Sequence, residues 1–458
     1  MPIINPAIQR PWIAPRYSRV FDGFEWCFWI FAMLYASGAI FTLAIVGKPL
    51  VAVLGERTDA QEHNSMVQIF WVGIYATFML FATWRLPSIY PVLKRNAGIL
   101  VLLPLAIFAS SFAAYEVDIS MRRSVGPIML TLMGMYIAVR YPLKEILFMV
   151  AVLHAIEIWS SVFTLVFLGN LGVMSVENPG TWAGSFIHKN GLGHAAAFSI
   201  FMFGYMATRT HHLVKAFWVG SIPVCLVLMV GAHSTTAFLE VAGLTAVLVL
   251  LSSMKRRSDD FSIIIFTVVL IVAICIPLIV TFYAQILEGL GKDPTLTGRT
   301  TLWAHAIESI AHRPFFGYGY GNFWESPVPY GGRSLRAQVG WYVPHMHNGW
   351  LELLVDIGFV GVIIFARLFF GTLQLALAAA RKTVEADYFI IILFCFYLLI
   401  ASVSEAALLR NDVRQMWLTA FFVACQTQLI ALRKGPEHPE MIGPARFQRA
   451  VRSGRRAG

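Results

Sequence analysis

The sequence predicts an all-α polytopic membrane protein, and three observations predict it. Of 458 residues, 58% are hydrophobic and only 13% charged, against about 25% charged in ordinary soluble domains. Apolar runs recur along most of the chain, separated by short polar stretches. Lys and Arg fall in small clusters between those runs, where membrane topology demands them, so the net charge of +10 marks orientation and not a nucleic-acid footprint. The Cys residues (Cys27, Cys225, Cys275, Cys395, Cys425) lie inside apolar runs without a CxxC pair and read as small buried hydrophobes.

Twelve apolar runs follow in order: Glu25 to Val46, Met66 to Thr83, Ala97 to Tyr115, Val125 to Val139, Glu145 to Leu168, Gly191 to Met206, Leu213 to Val230, Ala237 to Leu251, Phe261 to Tyr283, Trp350 to Phe370, Tyr388 to Ser402 and Gln415 to Leu432. The first lacks a small-residue cleavage pattern and reads as a retained span, not a removed signal peptide. Alternate loops carry Lys94-Arg95, Arg140 with Lys144, Arg209 with Lys215, Lys255-Arg256-Arg257 and Arg381-Lys382. With these loops and both termini inside, 22 of the 35 basic residues are cytoplasmic and 12 external, leaving Arg367 at a span.

The expected organisation is therefore a cytoplasmic segment 1–24, a bundle of about nine helices over 25–284, a large external loop 285–349, C-terminal spans over 350–433 and a basic cytoplasmic tail 434–458. The large loop lies on the side where chemistry would occur. After Gly298-Arg299 the residues Leu302, Trp303, Ala306, Ile307 and Ile310 define one apolar helix face, which Pro314 ends.

Arg299 sits where a guanidinium can grip a phosphate in bidentate fashion. Around Gly317, Gly319 and Gly321 stand Tyr318, Tyr320, Phe323 and Trp324, suited either to sugar faces or to an interfacial aromatic belt. His347-Asn348 precedes a helix on which Asn348, Glu352 and Asp356 share a face, and a neutral imidazole there can accept a proton. Further external candidates are Arg122-Arg123, the His188-Lys189-Asn190-Gly191 segment, and Ser404-Glu405 with Arg410 and Arg414. Some of these cations have a bland alternative in Glu116, Asp118 and Asp412 nearby. No HExxH, Walker A, Cys/His cluster or external DxD pair is present, so no metal or other cofactor is expected.

The order Gly298-Arg299-x-x-Leu302-Trp303, Arg313-Pro314-x-x-Gly317-x-Gly319, then His347-Asn348 before a span with Gly358 and Gly361 resembles the O-antigen ligase and O-antigen polymerase superfamily. With His188-Lys189-Asn190-Gly191 and Ser404-Glu405, it looks most like ExoQ-type exopolysaccharide polymerases. The resemblance implies a helical bundle with a large periplasmic loop over a cavity, in the bacterial inner membrane. The activity it implies is metal-free transfer of a glycan from undecaprenyl diphosphate to an acceptor sugar. Carried onto this chain, His347 would deprotonate the acceptor hydroxyl and Arg299 would bind the diphosphate. Arg123, Lys189, Asn190, Arg313, Tyr318, Tyr320, Asn348 and Glu405 make up the expected substrate-binding set. Expected partners are the lipid-linked donor, the sugar acceptor, the bilayer, and a chain-length regulator or flippase; nucleic acid is not among them. The rival readings are a ligase moving finished polymer to lipid A-core and, from another class, a transporter or flippase.

Overall fold

The computed structural model describes residues 15–39, 65–175, 178–254, 299–339, 343, 345–383 and 385–434. Its long elements are all helices: α1 (Pro15–Ser37), α2 (Ser65–Trp84), α3 (Leu86–Arg95), α4 (Leu102–Ser110), α5 (Val117–Arg140), α6 (Leu143–Phe167), α7 (Lys189–Arg209), α8 (His212–Ala232), α9 (Thr235–Met254), α10 (Arg299–His312), α11 (Gly332–Val339), α12 (Gly349–Thr383), α13 (Ala386–Ser404) and α14 (Val413–Lys434). Apart from one isolated bridge between Val173 and Trp182, the described residues contain no β pairing.

Of the twelve apolar runs, Phe261 to Tyr283 lies outside the described residues, as does the first run beyond Ala39; the others fall on helices. Among the described residues, seven helices are long and apolar enough to cross a membrane. An eighth span is counted if the pair Leu86–Arg95 and Gly98–Ala113, bent by 95°, is taken as one. The chain is thus a multi-pass membrane protein, with fewer strongly apolar spans than runs. Helices α1, α5 and α7 fall short because they carry polar residues that the bundle buries, among them Glu25, Ser120, Ser124, Thr131, His194 and Ser199.

The packing order explains where the polar loop can sit. Helix α5 lies along α14, α7 along α8, and α12 against both α13 and α14. Their shared apolar core contains Tyr136, Phe198, Phe203, Phe365, Phe369, Phe394 and Phe421. A smaller core stands apart at one end of the bundle. There Leu302, Ala306 and Ile310 of α10 pack with Tyr318, Phe323, Trp324, Leu335, Val343, Met346 and Val355. The described part of the large loop is therefore a folded cap with its own hydrophobic centre, docked on α12. The helix periodicity held for Leu302, Ala306 and Ile310, but Ile307 is 61% exposed and lies off the buried face.

The cap is fastened by a break in α12. At Gly358 the backbone turns to φ 62°, ψ −172°, a conformation that only glycine adopts without strain. The amides this break releases are taken up by the loop: Phe359 donates to the Pro314 carbonyl at 2.7 Å and Val360 to Phe315 at 3.2 Å, while Tyr318 donates back to Val355 at 2.7 Å. Gly317 has φ 67°, and a Cβ there would lie 2.5 Å from the Val355 carbonyl oxygen. Gly317 is thus spent on backbone-to-backbone docking of the loop on α12.

Candidate active site

Four stretches far apart in the chain meet beneath the cap: the start of α7, the start of α10, the segment before α12, and the end of α13. Glu405 is their centre. Its Oε1 accepts a hydrogen bond from Asn190 Nδ2 at 2.6 Å. Its Oε2 lies 3.4 Å from His345 Nε2 and 3.9 Å from His347 Nδ1. Arg299 reaches the same corner, donating from a guanidinium nitrogen to the Ser404 carbonyl at 3.1 Å.

Local sequence explains the placements. His188 caps α7, its Nδ1 accepting the Asn190 amide at 3.2 Å, which turns the Asn190 side chain towards Glu405. Asn348 caps α12, its side-chain oxygen accepting the amides of Trp350 and Leu351 at 3.1 Å. His347 precedes that cap with φ 48°, in the left-handed region where non-glycine residues are uncommon. Its amide donates to His345 Nδ1 at 3.1 Å, and the two rings lie 4.2 Å apart.

The electrostatics follow from burial and neighbours. Burial alone would raise the Glu405 pKa, but His345, His347, His194 and the Asn190 amide outweigh it and hold the carboxyl down to about 2. Glu405 is an anion at any physiological pH. Burial, with His347, Arg410 and Arg299 close by, pushes His345 well below its ordinary range despite the pull of Glu405, so that ring stays neutral. Burial also lowers Arg299, partly offset by Glu405, leaving a guanidinium that gains from a further anionic ligand.

Glu352 and Asp356 are only 2% and 3% exposed. Glu352 grips the cap, accepting from the Met346 amide at 2.6 Å and Trp324 Nε1 at 3.1 Å, with Arg410 at 3.7 Å. Glu352 therefore holds the loop onto α12.

The other expected residues divide by what they touch. Tyr318 and Tyr320 are buried, with hydroxyls given to the carbonyls of Ser309 and Leu409, so neither offers a ring face to a sugar. Arg313 donates to the Ala113 carbonyl at 2.8 Å and stacks over Tyr318, tying the cap to the bundle. Arg123 donates to the Gly321 carbonyl and faces Glu325 at 3.8 Å, a position that holds the glycine run in place. Lys189 opens α7 beside Asn190, half-buried. His345, which the sequence left without a role, is the closer of the two imidazoles to Glu405. The His-x-His spacing was visible, but its meaning required the position of Glu405.

His345, His347 and Glu405 also bring donor atoms within 4.8 Å of one another, a spacing open to a metal ion. The His345 ring argues against that use. Its Nδ1 accepts the His347 amide, so the ring proton resides on Nε2, the atom a metal would need. A metal-bound histidine normally donates its other ring N–H to a neighbour; here that neighbour is itself a donor.

Residues 219–366 match the family described as O-antigen ligase. That segment includes Arg299, Arg313, His345 and His347, and excludes Arg123, Asn190 and Glu405. Among curated proteins, the chain is 28% identical over 217 residues to the exopolysaccharide production protein ExoQ of Rhizobium meliloti (strain 1021), covering 44% of this chain and 49% of that protein. The chain thus spans about half the length of the curated relative it matches. The likeness first read from the order of Gly298-Arg299, Arg313-Pro314 and His347-Asn348 is borne out: this multi-pass helical membrane protein is similar to the O-antigen ligase and ExoQ-type proteins.

Proposed function

We propose that the protein is an inner-membrane glycosyltransferase that polymerises undecaprenyl-diphosphate-linked oligosaccharide repeats into exopolysaccharide or O-antigen on the periplasmic face. The observation that carries this reading is the meeting of Arg299 and His347 at the Ser404-Glu405 corner. An anion-seeking guanidinium and a proton acceptor are what transfer from a sugar diphosphate requires.

His347 takes the proton of the acceptor hydroxyl as its oxygen attacks the anomeric carbon. The bond from that carbon to the diphosphate breaks, and the departing undecaprenyl diphosphate places its charge on Arg299. Direct displacement of this kind inverts the anomeric centre. Diphosphate is already a good leaving group, so no metal is assigned to the reaction. The ExoQ-type likeness favours a polymerase. The family match, described as O-antigen ligase, supports a second reading in which the acceptor is lipid A-core and not another repeat.

Purified protein given lipid-linked repeats should build a ladder of polymer in the presence of EDTA, and the glycan of a deletion strain should stop at single repeats. Accumulation of finished but unattached polymer would select the ligase instead. No product from lipid-linked repeats with either acceptor overturns the glycosyltransferase reading.

A further inference from the structure

Glu405 lies at the end of α13, 58 residues beyond His347 in the sequence and outside the segment matched by the O-antigen ligase family. Its surroundings are those of an orienting group. Asn190 occupies one carboxylate oxygen, and both imidazoles converge on the other. The His345 ring is fixed in turn: with Nδ1 accepting the His347 amide, its proton is on Nε2, which lies 3.4 Å from Glu405 Oε2. A carboxylate oxygen flanked by two imidazoles favours a donor from each, and at 3.9 Å His347 presents Nδ1. Catalytic hydrogen bonds are often this long before substrate binds and tighten in the complex.

We infer that Glu405, held by Asn190 and His345, is the positioning carboxylate of this site: it keeps His347 in the Nδ1–H tautomer, so that Nε2 is the atom that receives the acceptor's proton. This rests on the reading of His347 as base. It converts Glu405 from an expected sugar contact into a group that acts through another side chain. The charged and titratable groups facing the pair are His345, Arg299, Arg410 and, from α7, His194. The anion of Glu405 favours the imidazolium that forms during transfer, as carboxylates do in other base pairs of this kind.

The test has two arms that separate the inference from the function it rests on. In the first, full-length protein labelled with ¹⁵N-histidine is reconstituted in lipid nanodiscs, and the ring tautomers are read by NMR at pH 8, with His347 assigned from the His347→Gln difference. Nδ1–H at His347 is expected, and Nε2–H overturns the inference whatever the activity. This arm needs no variant of Glu405 to fold. In the second, Glu405→Gln should lower kcat about 10²-fold, within the range a base contributes, with KM little changed. The acid limb of kcat should move to lower pH, because the imidazolium has lost its anion, and Glu405→Asp should recover part of the rate. A raised donor KM with unchanged kcat would show Glu405 touching substrate and overturn the positioning role. If instead His347→Ala keeps full activity while the tautomer is as expected, the assignment of the base fails and the positioning geometry stands.

Discussion

The two ends of the bundle use the same kinds of charged residue for opposite purposes. At the Arg140 end, Glu25 is wholly buried and receives Arg85 and Arg140 at 3.0 Å each, while Arg140 also pairs with Asp22. Every charge in that cluster has a near counter-charge, and the cluster staples α1 to α5. Under the cap, at the other end of the bundle, lies the Glu405 site. There the carboxylate has imidazoles for neighbours and the guanidinium of Arg299 has a carbonyl. Complete ion pairing makes a fastener. A carboxylate paired with titratable rings, beside a guanidinium bound to a neutral acceptor, retains capacity for a proton and an anion from outside.

Substitutions at the two ends should therefore fail differently. The largest expected effect on turnover is His347→Ala, which should reduce it by about 10²–10⁴-fold, the usual cost of losing a general base. Its abundance in the membrane should not change. Glu25→Ala should do the reverse, removing the buried carboxylate that Arg85 and Arg140 share at a cost of about 3–5 kcal/mol. Western blotting of membranes should show the protein depleted, with the remainder still active. Equal depletion by both substitutions would erase the distinction between the two ends.

Arg299→Lys comes next. A lysine keeps the charge but loses the planar fork, and polymerisation should fall by about tenfold or more, judging from the non-equivalence of the two side chains at bidentate sites. The matching change at the other end, Arg85→Lys, should be mild, since Glu25 needs charge more than a fork. Gly317→Ala tests the fastening of the cap instead of the chemistry. Its Cβ would meet the Val355 carbonyl at 2.5 Å, so limited proteolysis should release the cap while the bundle survives.

The smallest effect is a pH dependence of stability at the Glu405 end. His345 has its pKa depressed on folding, so its contribution is complete above the ordinary imidazole value and is lost as pH falls below it. Glu405, lowered to about 2, contributes above its ordinary carboxylate value and loses that contribution as pH falls towards 2. Both shifts destabilise the site on acidification. Thermal melts in detergent should show Tm dropping first below about pH 6.5, and the first step should vanish in His345→Gln. A flat profile through that window would mean that His345 is not held neutral by burial.

Much of this site was legible in local pattern. Arg299 at a helix start and His347 before a helix cap are features of neighbouring residues, and the positions follow from capping and periodicity. The tyrosines misled because a Gly-aromatic run has the same composition whether its rings face a ligand or a core. Tyr318 and Tyr320 went inward once Gly317 and Gly358 let the loop backbone lie against α12. A carboxylate near a helix start must either line a wet cavity or find partners, and Glu352 has the second: Met346, Trp324 and Arg410 surround it.

Residue order alone required that this chain live in a bilayer as helices, because every apolar run must satisfy its own backbone where no water can do so. It also determined which short segments carry charge and can start or stop a helix, since those are interactions among residues a few positions apart. Packing was needed to gather Asn190, Arg299, His345, His347 and Glu405 at one corner. The same holds for the break at Gly358, which looks like continuous apolar helix in the sequence and exists because Pro314 and Phe315 supply carbonyls to the interrupted amides. The physical reason is range: hydropathy and capping act along the chain, whereas a hydrogen bond between residues 190 and 405 has no trace in either neighbourhood until packing brings them within 2.6 Å.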